Sequence, residues 1–266
     1  MAKKETVVEG EVIEANETVV EEPSAQTTAV VSWEDKLAAY AEEAAAEEEM
    51  FGGKFLSLKA GRLAIDSVPC AGNKLDVIVV AYTTEYAFYE GKYDPNNPQP
   101  PVCYAFGKDE QSMEPHEKAS KPQNDNCFHC PKNQWKSDPD GGKGKACKNT
   151  RRLGFIPADA INDPSKIIDA EEVFVKLPVM SAKNWAKYVN DVNAQYKRPP
   201  FGVLTSITTE PDAKSQFRVT FKCLGRIESQ EAMMALIDRH EASQQTIGFP
   251  YSAAQEAAPV KESDKF

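Results

Sequence analysis

The alternation of apolar and polar positions starts at Lys54. Phe55 and Ser57 fall on one side of an extended segment and Leu56 and Leu58 on the other, which predicts a strand within Lys54–Ile65. Lys74–Glu90 is long, β-branched and aromatic and contains no proline. That composition predicts one long bent strand or a strand pair. Shorter strands are predicted at Pro101–Gly107, Arg151–Pro157, Glu172–Leu177, Phe201–Thr209 and Gln216–Ile227, the last two separated by a Glu210-Pro211-Asp212 turn. Two segments have helical spacing. Ser181–Gln195 places Trp185, Tyr188, Val189 and Val192 on one face, and Ser229–Gln245 carries Met233, Met234, Leu236 and Ile237. Strands and helices do not alternate regularly, so a doubly wound α/β sheet is not expected. The pattern predicts one β-rich α+β domain over 51–250.

The flanks read differently. Residues 1–31 are Glu, Val, Thr and Ala with no large core residue, a composition expected to be disordered. Residues 32–50 predict a helix, with Ser32 as cap, Asp35 three residues on, and Gly52-Gly53 to end it. Residues 251–266 are expected to be a flexible tail that ends at Phe266.

Charge sharpens this division. The chain has 31 Lys/Arg and 41 Asp/Glu, a net charge of −10. Residues 1–50 hold three basic and fourteen acidic residues, net −11, so the rest of the chain is at +1. The acidity therefore says nothing against a cationic site in the domain. No stretch reaches the roughly 18 uninterrupted apolar residues that a membrane span needs, and residues 1–20 contain no apolar signal core. The expectation is a soluble protein of the cytoplasm (of a host cell, if phage-encoded), with no membrane partner. In such a reducing compartment the spacing of six cysteines matters more than any disulfide count.

Four of the cysteines form a pattern. Cys103, Cys127, Cys130 and Cys147 read Cys-x23-Cys-x2-Cys-x16-Cys, and the Cys127-Phe128-His129-Cys130 knuckle lets both sulfurs reach one ion. Four thiolates make a closed tetrahedral zinc site. The surrounding segment, Lys108–Thr150, has almost no aliphatic residues and cannot build a core by apolar burial. A structural zinc contributes on the order of 10–16 kcal/mol to such a fold. One structural Zn2+ in an insertion at 103–152 is therefore expected. His116 is an alternative ligand, while His129, between the knuckle cysteines, is expected to point away. Cys70 and Cys223 lie in apolar or strand-like contexts and read as core or loop thiols.

The same insertion is basic. Lys118 to Arg152 contains nine Lys/Arg against three Asp, net +6, with Trp135 among them. Cations for phosphates and aromatic faces for bases are what sequence-tolerant single-strand binding requires. The candidate contacts are Lys54, Lys59, Arg62, Tyr82, Tyr86, Phe88, Tyr89, Tyr104, Lys132, Trp135, Lys143, Lys145, Lys148, Arg151 and Arg152. Tyr82, Tyr86 and Phe88 share one face of their strand and Tyr89 faces the other way, so one set is expected to be core.

Enzyme motifs fail. His116-Glu117 and His240-Glu241 are not completed to H-E-x-x-H, and the deaminase pattern is absent. Gly141-Gly142-Lys143-Gly144-Lys145 lacks the glycine spacing and the Ser/Thr of a phosphate loop. Three histidines leave little general-base capacity, so a non-catalytic binding protein is expected.

The runs Cys127–Trp135 (CFHCPKNQW) and Gly142–Leu153 (GKGKACKNTRRL) resemble a zinc-bearing family of bacteriophage single-stranded DNA-binding proteins of the helix-destabilising type. The resemblance spans roughly 54–228. It implies an OB-like β-barrel with a zinc-binding insertion, and a role in phage DNA replication, recombination or repair. Relatives of that kind often end in a strongly acidic tail with a terminal Phe. This tail ends in Phe266 but residues 253–266 are only at net −1, a partial match for recruiting replication or recombination proteins. The rival expectations are a protein-interaction adaptor that docks a partner on the zinc loop, and a non-catalytic subunit of a nuclease or replication complex.

Overall fold

A computed structural model of the chain describes Lys36, Leu37, Tyr40 and residues 54–91 and 99–251. The chain divides into two compact units, Met1–Glu48 and Glu49–Phe266. In the first, Lys36, Leu37 and Tyr40 are helical and exposed. The other residues of 1–50, expected to be disordered or helical, and the tail 252–266 lie outside the described residues.

The second unit is β-rich. Its described strands are β1 (Lys54–Ser57), β2 (Ala64–Ile65), β3 (Val68–Pro69), β4 (Lys74–Phe88), β5 (Cys103–Gly107), β6 (Lys148–Pro157), β7 (Val173–Lys176), β8 (Val203–Asp212) and β9 (Gln216–Arg226). They form one curled mixed sheet, a half-barrel, in the order β3-β2-β1-β7-β6-β4-β8-β9, with β5 paired to the distal half of β4. Only β1 and β7 run parallel. The helices are α1 (Pro164–Asp169), α2 (Ala182–Tyr196) and α3 (Gln230–Thr246).

The expected strand at Lys54–Ile65 is broken. Ala60 and Gly61 take left-handed backbone at φ 50° and 72°, which turns the chain through a short 3-10 segment between β1 and β2. Asp66 and Ser67, both at positive φ, then make the two-residue hairpin turn into β3. Lys74–Glu90 is a single strand that slips register between Val79 and Ala81. Such a bulge bends a strand and resets its face parity. Val77, Val79 and Tyr82 therefore all point to the concave side.

That concave side holds the main core. Val77, Val79, Leu153, Phe155, Val175, Val203 and Ile207 meet Trp185, Tyr188 and Val192 of α2. The helix is pinned as well as packed. Ser181 Oγ accepts from the Val219 amide at 2.9 Å, and the Tyr188 and Thr205 hydroxyls are 2.6 Å apart. On the convex side Ile78, Val80 and Ile156 pack against Ile167 of α1 and Ala232, Ala235 and Leu236 of α3. Ser229 caps α3, its hydroxyl accepting from the Ala232 amide. α1 was not expected; Asp163 caps it and Pro164 opens it, both start signals readable in sequence.

After α3 the chain runs on as a strap, Ile247 to Tyr251, across the convex side of β4, β6 and β7. Ile247 and Phe249 pack with Ala81, Phe174 and Phe55. Arg152 donates to the carbonyls of Ile247 (3.3 Å) and Phe249 (2.9 Å).

Candidate functional site

The basic insertion leaves the sheet at the distal end of β4. β5 pairs with β4 so that Cys103 lies directly opposite Phe88. The excursion beyond β5 is tied back by backbone bonds from His116 N to Tyr104 O of β5 and from Lys121 N to Val102 O just before it, and is tied to itself by Cys127 N to Met113 O. Its apolar core is small. Met113 and Ala146 meet Tyr86, Phe88, Ala105 and three of the cysteines.

Cys103, Cys127, Cys130 and Cys147 are all buried thiols and all line one cavity. The cavity is about 10 Å³, room for one ion- or water-sized body and no organic ligand. The knuckle is held by its neighbours. Asn126 Oδ1 accepts from the amides of Phe128 (2.9 Å) and His129 (3.2 Å), and Cys130 leads into a 3-10 turn over Pro131–Asn133. Burial first, then the charge each neighbouring thiolate would carry, pushes Cys127 and Cys147 up to about 12. Burial likewise raises Cys103. Without a cation Cys127 and Cys147 stay neutral thiols at pH 7.

Among the described residues, no group of three or more His, Cys, Asp or Glu stands ready to hold a metal ion. The four thiols thus converge on a cavity without forming a finished ligand cage. Four cysteine thiols are the donor type and number of a structural zinc site, and these four would be the ones to hold it. His116 does not line the cavity; it stacks on Tyr104, 5.0 Å between ring centroids. His129 is exposed beside Phe128. Cys70 and Cys223 sit at the edge of the main core, far along the chain from the cavity.

The candidate nucleic-acid contacts separate into three groups. Lys132, Trp135 and Lys145 of the excursion come together with Lys148 at the start of β6, and Lys143 is exposed on the same excursion. Cys147 N donates to Lys132 O at 2.8 Å, Lys145 Nζ lies 5.5 Å from the centre of the Trp135 ring, and Lys148 Nζ donates to Lys145 O at 3.1 Å.

The second group is withdrawn into the protein. Tyr86, Phe88 and Tyr104 are buried, and Tyr82 packs edge-on to Trp185 in the main core. Tyr89, on the opposite face, accepts from Lys176 Nζ at 2.8 Å. So both faces of the strand are interior, not one. Arg152 is buried with Glu85, and Arg151 is half-buried, 3.6 Å from Glu110. Tyr86, Phe88 and Tyr104 offer no face on which a base could stack, and Tyr82 and Tyr89 are half-buried.

The third group is remote. Lys59 and Arg62 sit at the β1–β2 corner, which Asn73 ties to the start of β4 through its bond to Gly61 O. β4 is 15 residues long, so about 45 Å of strand separates that corner from the cysteines. Lys54 is engaged by Glu171 at 2.6 Å.

One residue was missed. Among the described Phe, Tyr and Trp side chains of the β-rich unit, only two are exposed, Trp135 (73%) and Phe128 (49%). Phe128 lies in the knuckle and Trp135 five residues beyond it, and Gln134, next to Trp135, donates to the carbonyls of Phe128 (3.0 Å) and Cys130 (3.2 Å). The sequence signal was available. An aromatic at the first position inside a C-x-x-C is carried outward by the turn, as His129 was expected to be.

No family profile, curated protein or solved structure matches this chain.

Proposed function

We propose that the chain is a non-catalytic single-stranded DNA-binding protein, acting in replication, recombination or repair. Its contact surface is the cysteine knuckle. The observation that carries this reading is the pair of exposed rings, Phe128 and Trp135, on an excursion rich in lysine. Exposed rings give bases faces on which to stack, and Lys132, Lys143, Lys145 and Lys148 supply cations for phosphates.

One zinc ion on Cys103, Cys127, Cys130 and Cys147 is part of the proposal. Its chemistry would be structural: it neutralises thiolates and replaces the core that the excursion lacks.

The topology supports an OB-like reading. β7-β6-β4-β8-β9 follows the strand order three-two-one-four-five, with α2 between the third and fourth members. The long bulged β4 takes the first place. The knuckle then falls in the connection from first to second strand, one of the loops by which OB folds hold oligonucleotides. The chain departs from a closed barrel at one point: β1, not β9, lies parallel to β7. The convex face of β6 and β7, another surface used by such folds, is covered here by α3 and the strap at 247–251. That leaves the loop as the binding element.

Fluorescence titration with single-stranded and duplex oligonucleotides tests the reading. The expected result is preference for the single strand, quenching of Trp135, and an affinity that falls steeply with salt. Salt-insensitive or absent binding contradicts it.

A further inference from the structure

Between the cavity and the exposed rings stands one buried polar side chain, Asn133, 5% exposed. It lines the cysteine cavity. Its Nδ2 donates to the carbonyl of Cys127 at 2.7 Å, and its backbone amide donates to the carbonyl of Cys130 at 2.9 Å. Its Oδ1 accepts from Lys145 Nζ at 3.1 Å. The same ammonium lies 5.5 Å from the centre of the Trp135 ring. A carboxamide donates and accepts at once; an ionised Asp of the same length only accepts, and a Leu does neither.

We propose that Asn133 is a positioning residue that couples the four-cysteine site to the stacking surface, gripping the knuckle with its amide nitrogen and Lys145, hence Trp135, with its amide oxygen. The inference rests on the nucleic-acid reading above and adds a route within it. Metal binding fixes the carbonyls of Cys127 and Cys130. Asn133 registers that position and holds Lys145 over the indole. A cation so placed orients the ring, and an oriented ring stacks at lower entropic cost. Lys145 is then part of the stacking device as much as a phosphate contact.

The test uses the full chain, a fluorescein-labelled oligothymidylate, and zinc content measured on each purified variant. Asn133→Leu is expected to keep one zinc per chain and to bind the oligonucleotide roughly three- to tenfold more weakly, the range for one lost hydrogen bond. Asn133→Asp keeps the acceptor for Lys145 and should regain at least half of that loss on a logarithmic scale. The deciding readout is a double-mutant cycle. If Asn133 acts through Trp135, the Asn133→Leu/Trp135→Ala protein binds no more weakly than Trp135→Ala alone. Asn133→Leu/Lys145→Met should likewise bind no more weakly than Lys145→Met alone, since Asn133 acts through that ammonium.

Additive losses, unchanged affinity in Asn133→Leu, or loss of its zinc would each overturn the proposal, the last by making Asn133 a support of the metal site itself. Wild-type protein that holds zinc but ignores the oligonucleotide would overturn the nucleic-acid reading, and the coupling with it. Wild-type binding with an additive cycle overturns the coupling alone.

Discussion

Arg152 Nε donates to Glu85 Oε2 at 2.8 Å, and neither side chain has more than 1% of its surface in solvent. The guanidinium is sandwiched between Phe106 and Phe249, 4.3 Å from each ring centre. Lys176 Nζ reaches the other oxygen, Oε1, at 3.0 Å, and the Tyr251 hydroxyl donates to that same oxygen. This network fastens the strap at 247–251 onto β4, β6 and β7. It also explains why an arginine in a basic stretch is not a phosphate contact.

Breaking the pair should destabilise the fold without touching the salt dependence of binding. Removing one partner of a buried ion pair costs about 3–5 kcal/mol, because the other charge is left uncompensated. Arg152→Met should lower the unfolding free energy extrapolated to water by that amount, read as a lower denaturant midpoint at unchanged slope. Any folded fraction should keep the wild-type salt slope on single-stranded DNA. A smaller slope with unchanged stability would return Arg152 to the surface.

Glu85 also sets an acid limit. Burial alone would raise its pKa; Lys176 and Arg152 outweigh burial and hold it at about 2, against an ordinary 4.5. A depressed carboxylate contributes stability that is fully present above its unfolded value and is lost as pH falls through its folded value. The loss should therefore run from about pH 4.5 down to about pH 2. Glu85→Gln should be less stable at neutral pH and should show a flatter decline across that window. Equal pH profiles for the two proteins would contradict the assignment.

Zinc stoichiometry checks the cavity. The purified protein should carry one zinc per chain. Cys130→Ser should lose it, and hydrogen exchange should rise across 108–150 while the main core stays protected. A Cys130→Ser protein with full zinc occupancy would remove this site.

The knuckle lysines should register as phosphate contacts. Each phosphate neutralised on a single strand contributes about 0.7 to the logarithmic salt slope. Lys143→Ala should reduce the slope by about that amount; Lys59→Ala, at the far end of β4, should leave it unchanged. Equal effects would mean that DNA covers both ends of the strand.

The acidic segment offers a further test. Residues 1–50 at net −11 are tethered to a loop region at +6. A tethered polyanion competes for a cationic site at high effective concentration. Deleting 1–50 should tighten single-strand binding at low salt, and the gain should shrink as the Debye length falls to about 8 Å. Unchanged affinity at low salt would leave the segment only a solubility role.

The long strands were legible because their apolar alternation is driven by burial. Trp185, Tyr188 and Val192 of α2 show the same logic at helical spacing and are buried. What local pattern could not carry was pairing between distant segments. β1 lies parallel to β7 across more than 100 residues, and no turn signal announces that. Burial on both faces of β4 was equally hidden. Tyr86, Phe88 and Tyr89 look like a binding surface in sequence because an aromatic run is silent about what covers it. Here the excursion covers one face, and the Lys176–Tyr251 network takes up the other. The cysteine spacing pointed to one zinc site; the four thiols line one cavity, and among the described residues they form no group ready to hold a metal.

The central claim is that the knuckle rings bind single-stranded DNA. The most direct measurement is the affinity of Phe128→Ala/Trp135→Ala for single-stranded DNA at fixed salt, beside the wild-type protein and Tyr86→Phe. Stacking is worth about 1–3 kcal/mol per base. The account predicts a loss of more than about tenfold in the double variant, zinc retained, and wild-type affinity in Tyr86→Phe. Wild-type affinity in Phe128→Ala/Trp135→Ala would contradict it.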